Sequence, residues 1–406
     1  MNTSHKFFVG GFALCLTLGL MLFTGSQAFA SGPVKVSVLT DMSGPYAGIT
    51  ASNVEAAKLA IEDFGGKLLG QDIVFVYRDH QCKPDVANQK AKELYEKEEV
   101  DVIFDCPNSA AGLAVSNQAL LHKKLFFSIG SGTTRHSGPD CNRYTFDWAY
   151  NDYMLATAVG LWAADNLGKR WYTITADYAW GHDLLEHFTN ALKSKGGVHL
   201  GNDMVALGSS DFSPYILKAM GTNPDVLLLL NAGKDGVNAT KQAMEFGLKE
   251  KTHIIHALLF IEGIKAVGDV FADDYVTGAW YWKSTNPGSQ EFVAKWRKKF
   301  NRPPNWMNAA TYSAVTQYLE AVKRAKTQEA KAVILELEGH TFRDLLANPG
   351  YIRPEDHMQV GKAYILRAKK ASEVTEDWDY LEIVGEIPAE EAYMDPTKTG
   401  CKMGEF

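Results

Sequence analysis

Along this chain, short apolar runs alternate with amphipathic segments, the pattern of strands and helices taking turns. Val34–Leu39 is the first run, followed by a turn-rich stretch and the segment Ala51–Phe64, whose Val54, Ala57, Leu59, Ala60 and Ile61 fit one buried helix face. Ile73–Tyr77 predicts a second strand and Pro84–Lys97 a charged surface helix opening on proline. Val102–Phe104 and Leu125–Phe127 predict two more strands with a helix between them. Both end in small polar residues: Cys106-Pro107-Asn108-Ser109 after the first, Ser128 and Gly130-Ser131-Gly132-Thr133-Thr134 after the second. That is a βαβ unit of a parallel sheet. In such sheets ligands lie outside the carboxyl ends of the strands, where helix N–H groups and hydroxyls favour an anion. Ser109 and Thr133 or Thr134 also suit plain helix N-caps.

After the aromatic stretch Asn142–Tyr150 and a helix over Asp152–Leu167, the series repeats. Strands are predicted at Trp171–Ala176, Val198–Val205, Val226–Leu230, His253–Ala257 and Tyr275–Ala279, with helices at Gly181–Ser194, Phe212–Met220 and Gly236–Phe246. Helices Ser289–Phe300 and Asn308–Arg324 follow, then a mixed tail with strands at Ala363–Arg367 and Tyr380–Val384. The expected class is α/β: two lobes of parallel sheet flanked by helices. No low-complexity linker separates the lobes, so short crossings and a hinge are expected instead of a flexible tether. The expected division is a leader over 1–30, a first lobe over 31–150, a second over 151–285, and crossover helices with a C-terminal extension over 286–406.

The first thirty residues read as a cleaved export signal. Lys6 supplies a positive start, Phe7–Phe23 is apolar, and Ala28-Phe29-Ala30 offers a cleavage site. An oxidising, periplasmic location follows as an expectation. Cys15 leaves with the leader, so four cysteines remain, Cys82, Cys106, Cys141 and Cys401, with three possible connectivities. Cys82 stands just past the second strand and Cys106 just past the third, which favours joining them and leaves Cys141 for Cys401. The formal charge of −7 and the lack of a basic run argue against nucleic acid. The loop Thr40–Gly48 lacks both the dinucleotide and the phosphate-loop glycine patterns, so no nucleotide cofactor is expected. Neither cysteines nor histidines show metal-ligand spacing, and His136, His182, His187 and His199 read as surface residues. No nucleophile elbow or zinc-protease signature is present. A binding protein is expected, and not an enzyme.

The exported start, VSVLTDMSGPYAG, the Cys82 to Cys106 spacing, VIFDCPNSAAG, FFSIGSGTT, TADYAWGHDL, NPDVLLLLNAG and ATYSAVTQYLEAVKRA together resemble periplasmic solute-binding proteins of the leucine/isoleucine/valine-binding type. The resemblance covers about Val34 to Ala325. It implies a hinged type I binding fold, a ligand held between lobes, an ABC importer permease as partner and no cofactor. It also implies that the first lobe grips a carboxylate at Asn108, Ser109, Ser131 and Thr133, Pro107 standing where the family has serine. Trp180 takes the place of a clasping tyrosine, Glu262 that of the acid facing the ligand's ammonium, and Asn231 that of a frequent tyrosine.

Tyr46 and Trp148, in loop-like contexts, are expected to add flat walls, and Asp147 to face either a cation of the chain or the ligand. A neutral branched-chain or aromatic amino acid satisfies the whole set. An amine-free aromatic or aliphatic carboxylate satisfies all of it except Glu262, which would then have to be exposed, protonated or paired within the chain. A ligand-sensing receptor module is a further alternative. The chain is expected to act as a monomer.

Overall fold

The computed structural model describes Gly32–Phe406 together with Met1, Ser4 and His5, so the expected leader and its cleavage site lie outside the described residues apart from those three. The first lobe runs β1 (Lys35–Thr40), α1 (Asn53–Asp63), β2 (Val74–Asp79), α2 (Pro84–Glu96), β3 (Val102–Asp105), α3 (Ser109–His122), β4 (Leu125–Ser128) and β5 (Thr145–Asp147). These five strands pair in parallel in the order β2-β1-β3-β4-β5. β3 and β4 are buried at every residue. Continuous apolar runs are what a central parallel strand covered on both faces requires.

The second lobe continues with α4 (Asp152–Asn166), β6 (Arg170–Ala176), α5 (Ala179–Ser194), β7 (Val198–Val205), α6 (Ser213–Gly221), β8 (Val226–Leu230), α7 (Gly233–Glu245), β9 (His253–His256), α8 (Ile261–Val267) and β10 (Tyr275–Gly278). α9 (Ser289–Phe300) and α10 (Trp306–Ala325) then cross to the first lobe. Lys295 of α9 meets Asp63 at 2.9 Å, and Asn308 Nδ2 donates to Asn53 Oδ1 at 2.7 Å.

The tail does two things. β11 (Ala363–Ala368) pairs antiparallel with β10 and β12 (Leu381–Ile387) with β11, giving a seven-stranded second sheet ordered β12-β11-β10-β9-β8-β6-β7. The chain then returns to the first lobe, where Cys401 is bonded to Cys141 as expected. The other expected bond is corrected: Cys82 and Cys106 are buried free thiols. β1 lies between β2 and β3, so the two cysteines do not follow neighbouring strands. Asn108 Nδ2 instead donates to Cys82 Sγ at 3.5 Å, and burial pushes the Cys82 thiol up to about 12. Among the described residues no helix is long and apolar enough to cross a membrane.

Candidate functional site

Strand-end loops of both sheets converge on one small cavity. The first lobe supplies Tyr46 after β1, Asn108 and Ser109 after β3, and Tyr150 after β5; the second supplies Tyr178 and Trp180 after β6 and Phe260 after β9. This inner space is only about 20 Å³, room for one water. Tyr46 and Tyr178 close it from opposite lobes, their hydroxyls 2.6 Å apart. Burial raises both phenols far above the usual tyrosine range, so each stays protonated and neutral.

The expected anion end lies at the start of α3. Asn108 has φ +87°, and its Oδ1 accepts the Ala111 N–H at 3.0 Å, which makes it the N-cap. Ser109 is the first helical residue, and its hydroxyl is buried with no hydrogen-bond partner. A free hydroxyl at the positive end of a fourteen-residue helix suits a carboxylate.

The walls are aromatic. Phe260 stacks on Trp306 (5.5 Å, 16°), and Tyr150 meets the same indole edge-on (4.9 Å, 83°). The Trp180 ring is nearly fully buried and its Nε1 has no partner. None of the residues lining the inner cavity is a carboxylate or a cation.

Glu262 lies elsewhere. It lines an adjoining outer chamber of about 320 Å³ between the loop after β1 and helices α7 and α8. Its Oε1 accepts from Arg302 Nη1 at 3.0 Å and Asn305 Nδ2 at 2.9 Å, while Oε2 is buried without a partner. Arg302 also reaches Ser52 Oγ at 3.1 Å, so the pair links the second lobe to the first. Burial pushes the Glu262 carboxyl upward, and Arg302 pulls against that shift.

Four of the nine expected contacts, Tyr46, Asn108, Ser109 and Trp180, therefore meet at the inner cavity, and Glu262 borders the next one. The others do not line it. The Ser131 hydroxyl is engaged with His136 Nε2 at 2.8 Å, behind α3. Thr133 donates to Asp183 Oδ2 at 3.0 Å, and the Thr134 N–H donates to the same oxygen at 2.6 Å, which makes this loop a lobe-to-lobe contact. Trp148 is fully buried between Phe127 and Phe342. Asp147 beside it accepts from Ser137 Oγ at 3.1 Å, and burial raises its carboxyl well above the usual range. Asn231 is buried at the mouth of β8 with both side-chain amide atoms unpaired. Tyr150, Tyr178 and Phe260, which line the cavity, were missed, as was Trp306, which packs on two of them without lining it. The first three follow apolar runs and were open to the same reading as Trp180, whereas Trp306 sits at a helix start with no such signal.

Residues 33–373 match the model of a family described as periplasmic binding protein. The chain belongs to the periplasmic binding protein family. Its members are solute-binding proteins and not enzymes, and their ligands are bound outside the cytoplasm. A periplasmic binding protein from Burkholderia mallei is 36% identical, with a TM-score of 0.88 over 92% of this chain and 99% of that one. A Leu/Ile/Val-binding protein homolog 4 from Brucella abortus is 22% identical over 98% of this chain and 99% of the relative. A solute binding protein of an ABC transporter from Rhodopseudomonas palustris BisB5, solved with 3,4-dihydroxy benzoic acid, is 25% identical with a TM-score of 0.82, covering 90% of this chain and 99% of that one.

Proposed function

We propose that this protein captures a small amine-free carboxylate with a flat apolar body, an aromatic acid above all, between its lobes outside the cytoplasm and delivers it to an ABC importer permease. The leader over 1–30 exports it, the lobes divide near residues 150 and 285, and it works as a monomer. One observation carries the choice of ligand: the inner cavity offers aromatic rings and a free Ser109 hydroxyl but no carboxylate, and the acid expected to meet an ammonium, Glu262, already holds Arg302 and Asn305. An α-amino acid would bury its ammonium there unpaired, at a cost of several kcal/mol. The dihydroxybenzoate complex of the Rhodopseudomonas relative supports the same class.

A neutral amino acid is the second reading. The unpartnered Glu262 Oε2 and the name of the Brucella relative favour it. Calorimetry with benzoate and with leucine on three proteins separates the two. Under the carboxylate reading benzoate binds, Ser109→Ala weakens it by about tenfold or more, the worth of one hydrogen bond to a charged group, and Glu262→Gln changes it by less than about threefold. Tight leucine binding that collapses in Glu262→Gln would reverse the order.

A further inference from the structure

We propose that the outer chamber is a second compartment of the same site and that the natural solute is longer than a benzoate: a monocarboxylate whose apolar tail passes from the inner cavity into the chamber. This rests on the carboxylate reading above. The two spaces share Ile49, Leu258 and Phe260, which border both and place them side by side. Like the inner cavity, the chamber takes walls from both lobes: Pro45 and Ile49 come from the first, Val237, Leu259 and Phe271 from the second. A tail held there is gripped by closure as firmly as the carboxylate is.

Size points the same way. The inner space of about 20 Å³ accepts little beyond the acid group unless its rings part, while the chamber, about 320 Å³, is twice the ~150 Å³ at which an apolar cavity takes up a benzene ring. A cleft wall of this kind left uncovered is the usual mark of a binding surface. The chamber's polar groups set the sign of the tail. His256 is turned into its own pair with Asp274 (2.9 Å), and Glu262 Oε2 is left without a donor. Lys234 also lines the chamber but from its exposed end, so a second anion is disfavoured beside Glu262, and an apolar or hydroxyl-bearing tail is accepted there.

Calorimetry on the full mature protein tests this with benzoate, 3-phenylpropanoate, 5-phenylpentanoate and, as the charged control, heptanedioate. The expected result is a gain of about tenfold or more from benzoate to 5-phenylpentanoate, weak binding of heptanedioate, and loss of that gain in Ala266→Trp, which fills the chamber from its exposed rim. Benzoate itself should be weakened much less than 5-phenylpentanoate in that variant, because Ala266 lies at the exposed rim and does not line the inner cavity that takes the acid group. Val237→Phe, a second filling substitution on another helix, should give the same pattern if Ala266→Trp folds poorly. Equal affinity for short and long acids overturns the inference and leaves the carboxylate reading intact, as does a length gain that survives both variants. Failure of every acid to bind overturns both.

Discussion

His136 shows how far a single residue's role depends on what folds over it. Read as a surface residue, it lies fully enclosed behind α3, with Nε2 on Ser131 and Nδ1 unpaired. Burial lowers its pKa from 6.5 to about 4, and His80 is lowered to about 4 for the same reason. The unfolded chain therefore binds more protons between pH 4 and 6.5, so this contribution to stability is complete above about pH 6.5 and is lost as the pH falls through 4. Denaturant unfolding at pH 7.5 and 4.5 should show His136→Gln losing less stability on acidification than the unsubstituted protein, by on the order of 2 kcal/mol. Equal losses would mean that His136 is protonated in the folded state. Trp148 was misread for a related reason. Its backbone N–H donates to Ser128 O at 2.8 Å, continuing β5 past Asp147, and a strand's last residue looks like a loop residue in sequence. Asn108, Ser109 and Trp180 were legible because each follows an apolar run.

At the scale of elements, the strands and helices were readable because parallel strands buried on both faces leave uninterrupted apolar runs, as in Val226–Leu230. What spacing could not show was sheet order, since β1 inserts between β2 and β3 only in three dimensions. The two tail strands were visible, but not the sheet they join. The seat of α5 is equally invisible in sequence: a Cβ on Gly181 would lie 2.0 Å from the carbonyl oxygen of Ala176, so the helix rests on the end of β6 through a missing side chain. Gly181→Ala must lift the first turn of α5, which carries Trp180 and Asp183 into the cleft. The variant is expected to lose about 1–3 kcal/mol in thermal unfolding and to bind its solute more weakly. Unchanged affinity with lowered stability would show that the cleft tolerates the shift.

Across the cleft the lobes meet through the Tyr46 and Tyr178 hydroxyls, through Asp183 with Thr133 and Thr134, and through the Glu262–Arg302 pair with Ser52. A solute that adds contacts to both lobes favours the closed arrangement by its differential affinity. Small-angle scattering is expected to show a smaller radius of gyration with saturating solute than without, and a larger unliganded radius in Tyr178→Phe. An invariant radius in both comparisons would speak against hinge closure. The Cys141–Cys401 bond has a consequence for the state in which none of this structure exists. It spans 260 residues, a loop that holds the entire second lobe and both crossing helices. The denatured chain is thus mostly a closed ring carrying one longer arm. A ring samples fewer and more compact configurations than an open coil, so β5 and the returning tail start their search for each other already joined.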